Sequence, residues 1–226
     1  MSAQVTFALP SGRMLDDCLH ALARAGFECD IAEGTRKLMF ESGPARYILA
    51  RPGDVPVYVS HGAADFGIVG KDVLDEDCPD VYELLDLGFG AARFALAAPE
   101  PVAAELYRRV SEKRAGLCSP PSRPLRVATK FPRVAYTYFR GIGIPAEIIT
   151  LRGALELAPQ AGLADAIIDI VSTGRTLREN GLSEIESISA TTARLIANRA
   201  SMGLWPEGAR AVVSAFETNQ DGSVGE

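Results

Sequence analysis

The chain has 226 residues, of which 47% are hydrophobic and 23% charged, and its formal net charge at pH 7 is −6. This composition is typical of a globular protein with a hydrophobic core, and the acidic balance argues against broad binding to nucleic acid or to an anionic membrane surface. The four cysteines form no CxxC pair, and no apolar stretch is long enough for a membrane span. We therefore expect a cytoplasmic protein with free thiols.

Short apolar strands alternate with helical patterns, which predicts an α/β fold. The strands of the first part are predicted at 5–9, 38–40, 47–50, 66–69, 81–87 and 91–98, and its helices at 14–25, from 54 and from 71. After a loop-like stretch at 119–124, strands are predicted at 125–128, 147–151 and 166–171, and helices at 133–140, 154–160 and 205–216. No internal repeat is visible.

Two such series of similar size predict two lobes with a ligand cleft between them. We place the first part of lobe I at 1–92 and lobe II at 93–178. Residues 179–226 are expected to return to lobe I and to end in a helix.

The segment Asp165–Leu177, DAIIDIVSTGRTL, is the most informative stretch. An apolar strand runs directly into a turn of small hydroxyl residues, Ser172–Thr176, that begins a helix. The unpaired N–H groups of a helix start, the hydroxyls and the flexible Gly174 make a suitable phosphate site, to which Arg175 adds positive charge. Asp169, on the strand, could face the hydroxyls of a sugar or a developing positive charge. The alternative is an ordinary strand-to-helix turn capped by Thr173.

Other charged residues lie at predicted strand ends and in loops. They are Arg13 after Ser11-Gly12, Arg36, Arg51, Asp65, Lys71 and Glu156. Each alone is also explained as a solvated charge or a helix cap, but together they favour a phosphorylated sugar as ligand. The chain has only two histidines, so catalysis by a Ser-His-Asp or Cys-His arrangement is not indicated. It also has neither a P-loop motif nor the glycine-rich motif of dinucleotide-binding folds.

Five blocks resemble, in order, the ATP phosphoribosyltransferase family: ALPSGR (8–13), TRKL (35–38), RPGDVPVYVSHGAADFGIVGKDVL (51–74), ATKFP (128–132) and GALELAPQAGLADAIIDIVSTGRTLRENGL (153–182). The resemblance implies a type II periplasmic-binding-protein-like fold with the active site in the interlobe cleft. It also implies the first reaction of histidine biosynthesis, in which N1 of the adenine of ATP attacks C1 of phosphoribosyl pyrophosphate (PRPP), with inversion, and pyrophosphate leaves. Adenine N1 has a free lone pair at neutral pH, so this chemistry requires no general base.

The resemblance also implies roles for individual residues. Arg13 and Arg36 would neutralise the pyrophosphate and are the predicted catalytic residues. The PRPP site would consist of Ser172, Thr173, Gly174, Arg175 and Thr176 at the 5-phosphate, with Asp169 and Glu156 at the ribose. The ATP site would include Ser11, Gly12, Asp65, Gly70 and Lys71. Ser11 stands where the family usually has lysine, which puts the detail of that contact in question.

No resident metal site is expected, because Mg²⁺ would be carried mainly by the pyrophosphate of PRPP. The chain has the length of the family's short form, which implies a homodimer within a hetero-oligomer that contains a regulatory subunit similar to histidyl-tRNA synthetase. Two alternatives remain. One is a non-catalytic anion-binding module of the same bilobal fold. The other is a different phosphoribosyltransferase, although those usually have two adjacent acids before T-G-x-T, whereas Ile-Val-Ser separates Asp169 from Thr173 here.

Overall fold

The computed structural model describes residues 4–29, 31, 36–116 and 123–218. The chain forms two compact units, the first made of Met1–Gly90 with Thr192–Glu226 and the second of Ala91–Thr191. Cys118 and most of the predicted loop at 119–124 lie outside the described residues. No helix among those described is both long and apolar enough to cross a membrane.

The described residues of the first unit form a six-stranded sheet and five α-helices. Its strands are β1 Val5–Pro10, β2 Met39–Ser42, β3 Ala45–Ala50, β4 Phe66–Gly70, β5 Tyr82–Asp86 and β11 Ala193–Ala197. Its helices are α1 Leu15–Arg24, α2 Val55–Ser60, α3 Lys71–Asp77, α8 Arg199–Leu204 and α9 Pro206–Thr218. The strand order is β2-β3-β1-β4-β11-β5. The rings of Phe7, Tyr47 and Phe66 are fully buried, and Phe7 packs against both of the others.

The directions of the central strands decide which loops of this unit lie at each edge of its sheet. β1 is parallel to β3 and to β4, so the carboxyl ends of these three strands lie at one edge of the sheet. β2 is antiparallel to β3, and its first residue, Met39, is level with Ile48 near that same edge. The loops after β1, β3 and β4, and the segment before β2, are therefore brought to the carboxyl edge.

In the second unit, the part of the chain that the structure describes forms a five-stranded sheet and four α-helices. Its strands are β6 Ala92–Pro99, β7 Leu125–Thr129, β8 Ala146–Thr150, β9 Ala166–Val171 and β10 Leu182–Thr191. Its helices are α4 Glu100–Arg114, α5 Pro132–Ile142, α6 Leu157–Gln160 and α7 Arg175–Glu179. The order is β10-β6-β9-β7-β8, with β7 parallel to both β8 and β9. The loops that follow these three parallel strands therefore share one carboxyl edge.

The structure differs from the sequence prediction in the boundary between the units and in several elements. Residues 179–191 stay with the second unit instead of returning to the first, because β10 pairs antiparallel with β6 along its whole length. Helices α4 and α8 and strands β10 and β11 had no predicted counterparts. The helix predicted at 154–160 is reduced to α6, since Ala154 has a φ of 47°, a left-handed value that a continuous α-helix excludes.

Candidate active site

The hydroxyl-rich turn lies between β9, which ends at Val171, and α7, which begins at Arg175. Gly174 has a φ of 71°, a left-handed conformation that side chains disfavour, and this allows the sharp change of direction. Ser172, Thr173 and Thr176 are exposed. Within the described ranges, the hydroxyls of Ser172 and Thr176 make no hydrogen bond, so both are available to a ligand.

Capping by Thr173 is weak. Its Oγ1 accepts a hydrogen bond from the N–H of Arg175 at 3.4 Å, near the limit for such a bond. The turn therefore contains a modest cap together with exposed hydroxyl donors, which fits an anion site as well as a simple helix start.

Three arginines surround this turn, and two of them were not predicted. Arg93 Nη1 donates to the carbonyl oxygen of Ser172 at 3.0 Å, while its Nε and Nη2 hold Glu184 at 2.9 and 2.6 Å. Arg178 Nη1 donates to the carbonyl oxygen of Thr173 at 3.2 Å. Arg175, which was predicted, pairs with Glu179 at 2.7 Å. The backbone of the turn is thus fixed by cations from both sides.

A local pattern in the sequence could have indicated Arg178, but not Arg93. Arg178 lies four residues after Gly174, a spacing that places it over the first turn of a helix. Arg93 is far away in sequence and comes near only because β6 pairs with β9, with Arg93 opposite Val171. Nothing local in the sequence indicated that pairing.

A carboxyl group that lies shortly before the turn in the chain has a lysine beside it. Asp169, on β9, is mostly buried, and Lys130 Nζ lies 3.5 Å from its Oδ1. Among the described residues, that buried oxygen has no hydrogen-bond partner. Burial raises the pKa of Asp169, the charge of Lys130 opposes this, and the nearby carboxylate of Glu156 raises the pKa further. The structure therefore places Lys130 beside Asp169, and the charge of Glu156 acts on the same carboxyl group.

The carboxyl edge of the first unit carries exposed arginines. Ser11, Gly12 and Arg13 follow β1, and the N–H of Ser11 donates to the carbonyl oxygen of Ala50 at 2.7 Å. This bond places Arg51, which follows Ala50, beside them. Arg36 comes to the same edge, because the N–H of Leu49 donates to the carbonyl oxygen of Leu38 at 2.8 Å. Arg13, Arg36 and Arg51 are exposed, and none forms an ion pair with another described residue.

Gly70 and Lys71 also lie at this edge, where β4 meets α3. Lys71 Nζ is 2.6 Å from Glu83 Oε2 and 3.2 Å from Asp75 Oδ1. Burial lowers the pKa of Lys71, but hydrogen bonds to Glu83 and Asp75 outweigh it and the pKa is raised overall. The charge of Lys71 is thus largely balanced by its own unit.

Asp65 has a different position from the one predicted. It precedes β4 and lies at the amino edge of the sheet, about 16 Å from Gly70 at the other end of the strand. Its Oδ2 accepts from the N–H of Thr6 at 2.9 Å, and its Oδ1 accepts from Ser201 Oγ at 2.7 Å. Both carboxylate oxygens are engaged in joining β1, β4 and α8, so the structure assigns Asp65 a structural role instead of a contact to ATP.

Comparison with known proteins identifies the family of the chain. The sequence model of the family described as ATP phosphoribosyltransferase matches residues 51–218. The chain is 54% identical to an ATP phosphoribosyltransferase of Moorella thermoacetica over 201 residues, which cover 87% of this chain and 85% of the relative. It is 44% identical to one of Carboxydothermus hydrogenoformans over 221 residues, covering 96% and 94%.

Solved structures resemble the chain in fold, and one of them belongs to the same family. An ATP phosphoribosyl transferase (HisG:HisZ) complex from Thermotoga maritima contains a chain that superposes with a TM-score of 0.76 at 30% identity, covering 97% of this chain and all of that one. The glutamate-bound ligand-binding core of GluR0 superposes with a TM-score of 0.58 at 11% identity, covering 97% and 93%. The second likeness concerns the fold alone, and it confirms the predicted type II periplasmic-binding-protein-like class.

Proposed function

The chain belongs to the ATP phosphoribosyltransferase family, and on that premise we propose which of its residues carry the transfer of a phosphoribosyl group from PRPP to N1 of ATP. The observation that carries the proposal is the carboxyl edge of the second unit. There a turn with exposed hydroxyls lies beside a buried carboxylate oxygen that lacks a hydrogen-bond partner among the described residues.

The turn Ser172–Thr176 holds the 5-phosphate of PRPP. A phosphate offers only acceptor oxygens, and the turn offers hydroxyls, backbone N–H groups at the start of α7 and the guanidinium of Arg175. Arg93 and Arg178 bond to the carbonyl oxygens of Ser172 and Thr173 and so fix the shape of the turn. The phosphate therefore meets donors that are already in place.

Asp169 and Glu156 bind the ribose. The hydroxyls of a sugar are hydrogen-bond donors, and the unpartnered Oδ1 of Asp169 is a buried acceptor. As the bond from C1 to pyrophosphate breaks, positive charge develops on the ribose ring, and two carboxylates near the ring favour that charge.

Arg13 and Arg36 neutralise the pyrophosphate as it leaves. Both are exposed at the carboxyl edge of the first unit and are not held by an ion pair within the described residues, and Arg51 adds a third cation there. Stabilising negative charge on the departing group lowers the barrier directly, because that charge grows only as the transition state is approached.

The chemistry then needs no general base. The lone pair of adenine N1 forms the new bond to C1 while the C1–oxygen bond breaks and its electron pair leaves with pyrophosphate. The protein aligns two bound anions and stabilises the charges that develop. On the ATP side we retain Ser11, Gly12, Gly70 and Lys71, since all four lie at the carboxyl edge of the first unit. In this role Lys71 must share its charge with Glu83 and Asp75.

PRPP enters as its magnesium complex, so that the ion is part of the substrate. Among the described residues no group of three or more His, Cys, Asp or Glu side chains is arranged to hold a metal ion. The relative from Thermotoga maritima was solved as a HisG:HisZ complex, which supports a hetero-oligomer of this chain with a regulatory subunit similar to histidyl-tRNA synthetase. We expect a homodimer of this chain within that assembly, and feedback inhibition by histidine to depend on the partner.

The experiment that tests the function is direct. The purified protein is mixed with ATP, PRPP and Mg²⁺, and phosphoribosyl-ATP is followed by its ultraviolet absorbance, with and without the regulatory subunit. We expect product only when both substrates are present. If neither condition gives product, the catalytic proposal is wrong and the non-catalytic module, which family membership does not favour, becomes the better explanation.

A further inference from the structure

Lys130 lies near Asp169 because of the turn that follows β7. It follows β7 directly, and in this turn the N–H of Phe131 donates to the buried Oγ1 of Thr129 at 2.9 Å. The ammonium group also lies 5.0 Å from the centre of the Phe131 ring, a cation–π distance. The hydrogen bond fixes the turn and the ring contacts the ammonium group, and in this arrangement Lys130 Nζ lies 3.5 Å from Asp169 Oδ1.

Asp169 needs such a partner if it is to stay ionised. It lies on the central strand β9, opposite Ala95 on β6, and its neighbour Ile168 is level with Thr129 on β7. The charged groups that act on it are Lys130 and Glu156. Burial and Glu156 favour the protonated form, and only Lys130 among these groups supplies opposing charge.

We propose that Lys130 is a positioning residue for the sugar-phosphate substrate, whose ammonium group keeps Asp169 as a carboxylate aimed at a ribose hydroxyl of PRPP. This inference rests on the proposed function, in which Asp169 accepts that hydroxyl. The distance of 3.5 Å is long for a direct hydrogen bond, so Lys130 supplies charge while leaving Oδ1 open to the sugar. A protonated Asp169 would lose acceptor capacity where the hydroxyl needs it.

The test is the pH dependence of kcat/KM for PRPP in Lys130→Met, which removes the charge but keeps an unbranched side chain. Without Lys130 the pKa of Asp169 rises, so the carboxylate is lost at a higher pH as the pH falls. We expect the acidic limb to move up by about one pH unit and KM for PRPP to rise about tenfold at the acidic end, with a smaller effect at alkaline pH. KM for ATP should stay the same.

Two variants show whether the effect comes from this charge. Lys130→Arg keeps a cation and should return the acidic limb close to its wild-type position. Lys113→Met removes a lysine from α4 in the same unit and should leave the limb where it is. A merely structural Lys130 would lower kcat or the melting temperature of Lys130→Met by a similar factor at every pH without moving the limb, and that result would overturn the proposal.

A double-mutant cycle separates this inference from the function on which it rests. In an Asp169→Asn background there is no carboxyl group to titrate, so adding Lys130→Met should have almost no further effect on KM for PRPP. If Lys130→Met costs the same factor in both backgrounds, Lys130 acts on the substrate directly and the inference fails while the PRPP site stands. If Asp169→Asn alone keeps the wild-type KM for PRPP at every pH, the role of Asp169 itself is wrong.

Discussion

The two units repeat one local structure at the amino edges of their sheets. In both, a glycine with positive φ, Gly62 or Gly162, follows the end of a helix, and an aspartate three residues later precedes a central strand. Asp65 exchanges two hydrogen bonds with the backbone of Thr6, both 2.9 Å long. Asp165 exchanges the same two with Arg126, at 2.8 and 2.9 Å. Each aspartate thereby joins its strand to a parallel neighbour.

The oxygen of Asp165 that accepts from the N–H of Arg126 also accepts from Arg123 Nη1 at 2.7 Å, a bond with no counterpart at Asp65 among the described residues. The aspartates differ further at the other carboxylate oxygen. In the first unit it accepts from the neutral hydroxyl of Ser201 at 2.7 Å. In the second it binds guanidinium groups, Arg123 Nη2 at 2.8 Å and Arg126 Nη2 at 3.0 Å. The carboxyl edges diverge further, since the strand position that holds Asp169 in β9 corresponds to Val69 in β4. We call the amino edges, which share this structure, the scaffold edges, and the carboxyl edges, which carry the proposed site residues, the chemical edges. Substitutions at a scaffold edge and at a chemical edge should therefore change different measurable properties.

Arg13→Ala should have the largest effect, and on turnover. Arg13 belongs to a chemical edge, and its proposed role is to meet charge that develops on pyrophosphate. We expect kcat to fall about a hundredfold to a thousandfold, equivalent to about 3–4 kcal/mol, with the melting temperature nearly unchanged. Steady-state kinetics of this variant beside Arg24→Ala, an exposed arginine at the end of α1, provide the measurement and its control. Unchanged turnover would remove Arg13 from the reaction.

Thr173→Val tests the chemical edge of the second unit. The substitution keeps the shape of the side chain and removes one proposed donor to the 5-phosphate. We expect KM for PRPP to rise by a factor that corresponds to about 1.5–3 kcal/mol, while KM for ATP stays constant. Thr137→Val, at an exposed position of α5, is the matched control. A normal KM for PRPP would mean that Thr173 only caps α7.

These edges also show how far the sequence could predict the molecule. The strands and the α/β class follow from short-range patterns, and the hydroxyl turn was visible because its residues are consecutive. The roles of Lys130 and Arg93 depend on which strands pair, β7 with β9 and β6 with β9, and no local pattern contains that information. The repeat around Asp65 and Asp165 was missed because its two copies share only a short Gly-x-Ala-Asp pattern, while their hydrogen bonds correspond closely.

Asp165→Asn tests the scaffold edge of the second unit, where the aspartate binds charged guanidinium groups. Asn can still accept from the N–H of Arg126, but its amide group would face guanidinium donors that now lack an acceptor. We expect the free energy of unfolding to fall by about 2 kcal/mol, a figure reduced because both arginines are partly exposed to solvent. Urea unfolding measures this, and KM for both substrates should stay at the wild-type value. A larger change in KM than in stability would contradict the separation of the two edges.

The same aspartate should make stability depend on acid. A hydrogen bond from Arg123 and further bonds from Arg126 outweigh burial and hold the pKa of Asp165 well below its usual range. Because the folded-state pKa is depressed, this stabilisation is fully present above the unfolded-state pKa of about 4 and is lost as the pH falls below it. Unfolding curves at pH values on both sides of about 4 should therefore show a steeper acid loss in the wild type than in Asp165→Asn. Equal slopes would show that the arginine pairs contribute nothing to the folded state.

Asp65→Asn should have the smallest effect, although it removes the same charge from the equivalent position. Here the amide can replace the carboxylate, since Asn Oδ1 can accept from the N–H of Thr6 while Nδ2 donates to Ser201 Oγ. We expect a loss of about 1 kcal/mol or less in the free energy of unfolding, with an unchanged KM for ATP. A rise in KM for ATP without loss of stability would restore Asp65 to the nucleotide site, where the sequence first suggested it. If the kinetics are unchanged, the two aspartates form one structural element used twice, and their partners alone decide how much each stabilises its unit.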